Sequence, residues 1–483
     1  MARNSGDTSN VETFETDIVI IGGGGSGLSA AVAAAEKGAR IVLLEKRLTA
    51  GGNAAFARGM FAAESCVQKR LKIDARRDEL FKAAMDYSHW KIDPQIIRAF
   101  VDKSGDTIQW LEEKGLRFDD VLHYYPNQVP RVFHVPEGQG IALVKVLVKR
   151  CEDLGVRFYY ETLPKRILTS DNGNIVGILA ASGQGGLSIN AKGVIIATGG
   201  YSGNKELLKK YYPFYTEDLF SDGLPNMGDG LLMATQIGGA TEGLGILQLG
   251  GPRFPGSWYI NTVAVEPKTI WINKKGERFI DESKASYWPE AANALNRQPD
   301  KISYTLFDEK IKQSFIEEGV IKGNHRFPPM TRLIELGKEL KLQGDKGKVK
   351  ISDSWEEIAG WIGAVAKVLK VTIEEYNSFC EQRYDQIFVK DPRFLLPLRH
   401  PPYYALKCFQ SFLTTIGGIK INHHMQVLNQ QDNPIPGLYA AGNDTGGWES
   451  DTYCIILSGN AFSFAINSGR IAGENAVKYI SGK

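Results

Sequence analysis

Three glycines set out the first chemistry this chain could perform. They stand as Gly22-x-Gly24-x-x-Gly27, with Gly25 and Ser26 between the last two. In that spacing the first glycine permits a tight turn. The second lets backbone approach a pyrophosphate, and the third lets a helix close on the strand before it. Glu45 lies eighteen residues past Gly27, where a carboxylate accepts hydrogen bonds from an adenosine ribose. A carboxylate there favours a free 2′-hydroxyl, so the expected ligand is FAD or NAD rather than NADP. The elements that must position these residues surround them. Asp17–Ile21 is an apolar, β-branched run, as a buried parallel strand should be. Ser26–Lys37 is alanine-rich and helical, and Gly38 is its stop. Arg40–Glu45 is the second strand. The helix N-terminus turns N–H groups and a positive dipole end toward the phosphates.

Other small-residue clusters extend the pattern. Gly51-Gly52-Asn53-Ala54 and Ala57-Arg58-Gly59-Met60 follow the acidic strand directly, where backbone can crowd against a flavin ring. Gly193–Gly200 reads as a buried strand ending in Ala197, Thr198 and Gly199, followed by a turn to Asn204. Gly228-Asp229-Gly230 opens a helix. Gly437–Asp444 is a third strand running out into Gly442, Asn443 and Asp444. Ser458-Gly459-Asn460 opens a long helix whose N-terminus can stabilise charge on a reduced flavin. Asp119–Gly140 reads as a loop carrying His134.

Composition narrows the class. The 483 residues are 43% hydrophobic and 23% charged, with a net charge of +2. That balance points to no nucleic-acid partner. No eighteen-residue apolar run exists, so no membrane span is expected. Five scattered cysteines without a C-x-x-C argue against a disulfide framework and fit a cytoplasmic location. Residues 1–14 are polar, lack a signal-peptide core and read as a disordered leader. The expected fold is α/β: a Rossmann-like FAD-binding domain over 15–238 and 400–483, with an inserted α+β capping domain over 239–399.

Taken together, Ile21–Gly27, Glu45-Lys46, Gly51–Asn53, His134–Gly140, Ala197–Asn204, Gly228–Gly230, Ile272–Glu282, Ile416–Gly418, Gly437–Gly442 and Ser458–Asn460 resemble the fumarate reductase/succinate dehydrogenase flavoprotein family, which includes ketosteroid dehydrogenases. The resemblance implies FAD in the Rossmann-like domain, covered by the inserted one. It assigns cofactor contacts to the two early glycine turns with Lys46, to Ala197–Gly199, Asn204 and Asp229, and to Gly442, Asn443, Ser458, Ala461 and Phe462. The family's covalent form needs a histidine after the glycine pair. Residues 53–60 contain none, so non-covalent FAD is expected.

The departures bear on substrate. The family's fumarate reductases hold a dicarboxylate with arginines and histidines. Here Arg278-Phe-Ile-Asp-Glu282 is followed by no arginine, Gln410–Thr415 has no histidine, and Tyr453–Asn460 has no arginine. In their place stand Phe412, Leu413, Trp448, Tyr453, Ile455 and Ile456, with Trp258 and Tyr259 from the inserted segment. These suit a flat hydrophobic carbonyl compound such as a steroid or plant phenolic. The expected reaction is hydride transfer from flavin N5 to an activated C=C bond, followed by protonation. Tyr453 is the first candidate acid, with Glu449 and Asp451 as neighbouring relays or a solvated loop. Arg253 is a candidate to polarise a carbonyl or to cap its loop, and His134 to line an entrance or to make a structural hydrogen bond. No second dinucleotide fingerprint appears, so an external electron donor or acceptor is expected. Ketosteroid-type dehydrogenation, or electron relay to a partner, is the alternative reading of these residues.

Overall fold

The computed structural model describes residues 11–125, 130–183, 185–324 and 326–482. The chain divides into two compact units. The first comprises 1–213, 223–248 and 414–483, and the second 214–222 and 249–413. The expected boundaries at 239 and 400 therefore shift. The strand Tyr403–Thr415 begins after residue 400, and its pairing with Ile302–Asp308 and Val349–Ser352 keeps residues 403–413 in the second unit.

The first unit is built on a six-stranded sheet. Its elements in chain order are β1 (Ile18–Ile21), α1 (Gly25–Ala35), β2 (Ile41–Leu44), β3 (Arg157–Tyr159), β4 (Gly193–Ile196), β5 (Gln426–Leu428), β6 (Pro434–Ala440) and α2 (Asn460–Ile480). The strand order is β5-β6-β4-β1-β2-β3. All neighbours are parallel except β5 and β6. Every residue of β1, β2 and β4 is buried, as continuous Val/Ile/Leu runs require when helices cover both faces.

Helix α1 has Gly24 as its N-cap with no side-chain cap, and Gly38, at φ +88°, follows its end. Its first N–H groups are thus left for a ligand. Helix α2 crosses it closely. A Cβ at Gly469 would stand 2.2 Å from the Ser26 carbonyl oxygen, and one at Gly473 2.5 Å from that of Ala30. Two glycines four residues apart on one helix face therefore set this contact.

The leader expected over 1–14 is not one throughout. Val11–Glu15 is a strand pairing in parallel with Gly185–Asn190, and residues 1–10 lie outside the described residues. The stretch expected as loop over 119–140 contains two strands, Phe118–Leu122 and Phe133–Pro136.

The second unit centres on residues 403–413 of that strand, with helices Glu309–Glu317, Leu336–Asp345, Trp355–Ile362 and Ala366–Gln382. Arg278 is buried between Glu282 (3.0 Å) and Asp385 (2.9 Å), and Lys390 pairs with Glu282 at 3.0 Å. The Arg-Phe-x-x-Glu stretch is thereby tied into this unit's interior. Among the described residues no helix is long and apolar enough to cross a membrane.

Candidate active site

The glycine turn after β1 has the geometry its sequence demands. Gly22 sits at φ +106°, and a Cβ there would meet the Ala197 carbonyl oxygen at 2.3 Å. A Cβ at Gly27 would meet the Gly22 carbonyl oxygen at 1.9 Å. Gly24 differs: a Cβ there meets nothing within 4 Å, which leaves the room a pyrophosphate needs. Glu45 is buried. Its Oε2 accepts the Gly23 N–H at 2.8 Å and its Oε1 the Arg47 N–H at 2.8 Å. The carboxylate thus fixes the turn and keeps further lone pairs for ribose hydroxyls.

The second glycine pair packs on the first. Gly51 donates to the Gly23 carbonyl at 2.8 Å. Asn53 Oδ1 accepts the Leu224 N–H at 2.7 Å, and Lys46 pairs with Asp229 at 2.7 Å. Gly140 opens its helix against the same segment, donating to Ala57 at 2.8 Å. Gly442, at φ +68°, stands over Ser26, whose Oγ a Cβ would meet at 2.3 Å.

Asp444 organises the opposite wall. It accepts the N–H groups of Gly199 (2.9 Å) and Gly200 (3.0 Å), the Thr198 hydroxyl (2.8 Å) and the Thr198 N–H. Burial pushes its carboxyl above the ordinary range, and these donors pull it back. Beside it, Asn443 donates to Thr414 Oγ1 at 3.2 Å, while its buried Oδ1 has no partner. An open Gly24, an uncapped helix start and an orphaned amide oxygen fit a dinucleotide that brings its own phosphates and donors. One expected contact is otherwise engaged. Asn204 caps the helix Lys205–Tyr211, accepting from Leu207 and donating to Met227.

The loop before α2 holds Tyr453 and Glu449. Tyr453 is buried, and its hydroxyl accepts the Ala461 N–H at 3.4 Å. Burial first, and then Glu449, raise its pKa well above the ordinary phenol. Glu449 is 3% exposed, so the solvated-loop reading fails for it. Asp451 keeps that reading, exposed and paired with Lys91 at 2.9 Å.

Several expected site residues are committed elsewhere. His134 is wholly buried on strand Phe133–Pro136. Its Nε2 shares a 2.7 Å hydrogen bond with Ser65 Oγ, and its Nδ1 contacts the Val132 carbonyl at 3.0 Å. Burial lowers its pKa to about 4, so it is a neutral core group rather than an entrance residue. Trp448 donates to the Thr445 carbonyl at 3.0 Å and stacks on Phe464 at 4.3 Å, which makes it core as well.

Within the second unit, Arg253 is neutralised by Asp222 at 2.9 Å and lies over the Trp288 ring. Phe412 is buried and Leu413 half-buried on the central strand. Trp258 is 41% exposed at the start of the helix Trp258–Val263, and Tyr259 packs on Phe327 at 4.6 Å. Lys322 had no distinguishing signal in the sequence. Burial first, and then Arg253, lower its ammonium to about 7, and it donates to the Ala285 carbonyl.

The glycine turn, the buried acid after β2 and the long final helix define a dinucleotide-binding protein, and its relatives make it an FAD-dependent oxidoreductase. The chain belongs to the FAD binding domain family, matched over residues 17–452. It is 31% identical over 481 residues to the vinyl phenol reductase of Lactiplantibacillus plantarum, covering 96% of each chain. It is 30% identical over 468 residues to a fumarate reductase (cytochrome) of Shewanella frigidimarina, covering 96% of this chain and 77% of that one. Among solved structures, the open conformation of a flavocytochrome c3 fumarate reductase aligns with a TM-score of 0.74 at 27% identity, over 97% of this chain and 79% of that one. The enzymes of this family use FAD and act on C=C or CH–CH groups, and this chain is one of them.

Proposed function

We propose that the protein reduces an activated C=C bond in a hydrophobic carbonyl or phenolic substrate, using non-covalently held FAD. Bound FAD supplies the ring that exchanges a hydride with the substrate. The observation that carries this reading is the loop 448–460, which holds a buried phenol, a buried carboxyl and no lysine, arginine or histidine. A dicarboxylate would find no cation there to offset its desolvation. A flat apolar alkene needs none.

In this reading Tyr453 is the acid that protonates the alkene carbon that does not receive the hydride. The first turn of α2 holds its hydroxyl through Ala461, and the positive end of the helix favours the phenolate left behind. The likeness to a vinyl phenol reductase supports an alkene conjugated to a phenol as the substrate class. The lack of histidine over 53–60 supports non-covalent attachment.

The test is Tyr453→Phe in the FAD-loaded enzyme, followed as reoxidation of photoreduced flavin by 4-vinylphenol without oxygen. The rate should fall by about 10²–10⁴-fold, the range of positioned acids, while flavin content is unchanged. An unchanged rate would eliminate Tyr453 as the acid.

A further inference from the structure

We propose that Glu449 is the proton-holding and positioning residue for Tyr453, a carboxyl kept neutral in the resting enzyme that restores the tyrosine proton after each turnover. This rests on the reading of Tyr453 as the acid. Glu449 Oε2 accepts the Cys454 N–H at 3.0 Å, and Oε1 accepts from Nδ2 of Asn460. The same Nδ2 reaches the Cys454 carbonyl at 3.3 Å. Asn460 is the first residue of α2, and the next residue, Ala461, holds the Tyr453 hydroxyl. Both acids therefore converge on consecutive residues of one helix start. Asn460 Oδ1, buried in the same cluster, has no partner and is an acceptor for an acidic proton.

The electrostatic surroundings are sparse. Among the described residues no cation pairs with Glu449. The titratable groups that feel its charge are Tyr453 and Cys454, and Tyr124 in turn acts on Tyr453. Desolvation disfavours the charged carboxylate and outweighs its two neutral donors, which act the other way, so burial raises this one to about 8. A charged Glu449 would oppose the phenolate that forms when Tyr453 gives up its proton. A neutral Glu449 does not. The proton steps balance without electron transfer. The Tyr453 O–H bond breaks as the substrate C–H bond forms. The Glu449 O–H bond then breaks as the phenol O–H reforms, and water reprotonates the carboxylate.

Two measurements on the FAD-loaded protein test this. Infrared difference spectra across pH should show a carboxylic-acid C=O band that titrates near pH 8 in wild type and is missing in Glu449→Gln. Stopped-flow reoxidation by 4-vinylphenol should slow above about pH 8 in wild type. In Glu449→Gln that break should disappear, with the rate at pH 7 reduced on the order of tenfold. Asn460→Ala keeps the carboxyl but removes a donor to its charged form, so the break should move to higher pH. That variant carries the test should Glu449→Gln fail to fold. Absence of the Glu449 band, or coincident pH profiles in all three proteins, would overturn the proposal while leaving the alkene reaction intact. Failure of every alkene to reoxidise the wild-type flavin, with the band titrating as expected, would overturn the functional reading and the role of Glu449 within it.

Discussion

Replacing Glu449 with glutamine should change how stability depends on pH, by an amount that follows from the carboxyl's surroundings. Its folded-state pKa is raised from 4.5 to about 8, with burial the largest cause. Below pH 4.5 the group is protonated in both folded and unfolded chains, and it opposes folding least. As pH rises, the unfolded chain ionises freely while the folded protein holds its proton, so wild-type stability is lost progressively up to about pH 8. Above that both states are ionised and the loss is complete. At about 1.4 kcal/mol per pK unit, the span amounts to about 5 kcal/mol. Glutamine has the same shape and does not titrate, so it lacks this dependence. The assay is thermal melting of both FAD-loaded proteins from pH 5 to pH 9. The melting temperature of the variant minus that of wild type should climb between pH 5 and 8 and then level off. Any pH dependence of flavin binding common to both cancels in the difference. A flat difference would refute the claim that the folded protein keeps this carboxyl neutral.

Two other predictions concern the cofactor cradle. Gly27→Ala would place a methyl 1.9 Å from the Gly22 carbonyl oxygen. It should cost about 1–3 kcal/mol by overpacking and lower the flavin-to-protein absorbance ratio; full flavin content would contradict the close packing described. Asp444→Asn would turn an amide donor toward either the backbone N–H groups of Thr198 and Gly199 or that of Gly200. It should cost about 1–3 kcal/mol for each donor left unmatched and weaken FAD binding in a fluorescence titration.

How much of this was legible in the sequence depended on whether the reason was local. Gly22 and Gly27 could be read directly, since a turn at φ +106° and a Cβ at 1.9 Å from a carbonyl admit only glycine. Glu45 could be read from its distance along the chain. The structural role open to His134 is the one it takes, hydrogen-bonded to Ser65, but its strand could not be read, because the short segment ends in Pro136 and looks like a turn. The resumption of the first unit was placed too early because Tyr403–Thr415 gives no break in pattern where the pairing partner changes. Glu449 was the hardest. Glu-Ser-Asp is the composition of a solvated loop, and only the fold separates the buried Glu449 from Asp451, which lies at the surface on Lys91. Trp448 was read as a pocket wall because residue type cannot reveal that Phe464 lies against its face.

The most direct measurement compares two oxidants of the same photoreduced enzyme under anaerobic conditions, 4-vinylphenol and fumarate, each followed by return of the oxidised flavin absorbance. A site walled by a phenol, a neutral acid and apolar side chains should pass its electrons to 4-vinylphenol at a rate that saturates with concentration, and to fumarate no faster than buffer alone. Rapid saturable reoxidation by fumarate, with 4-vinylphenol inert, would contradict the account.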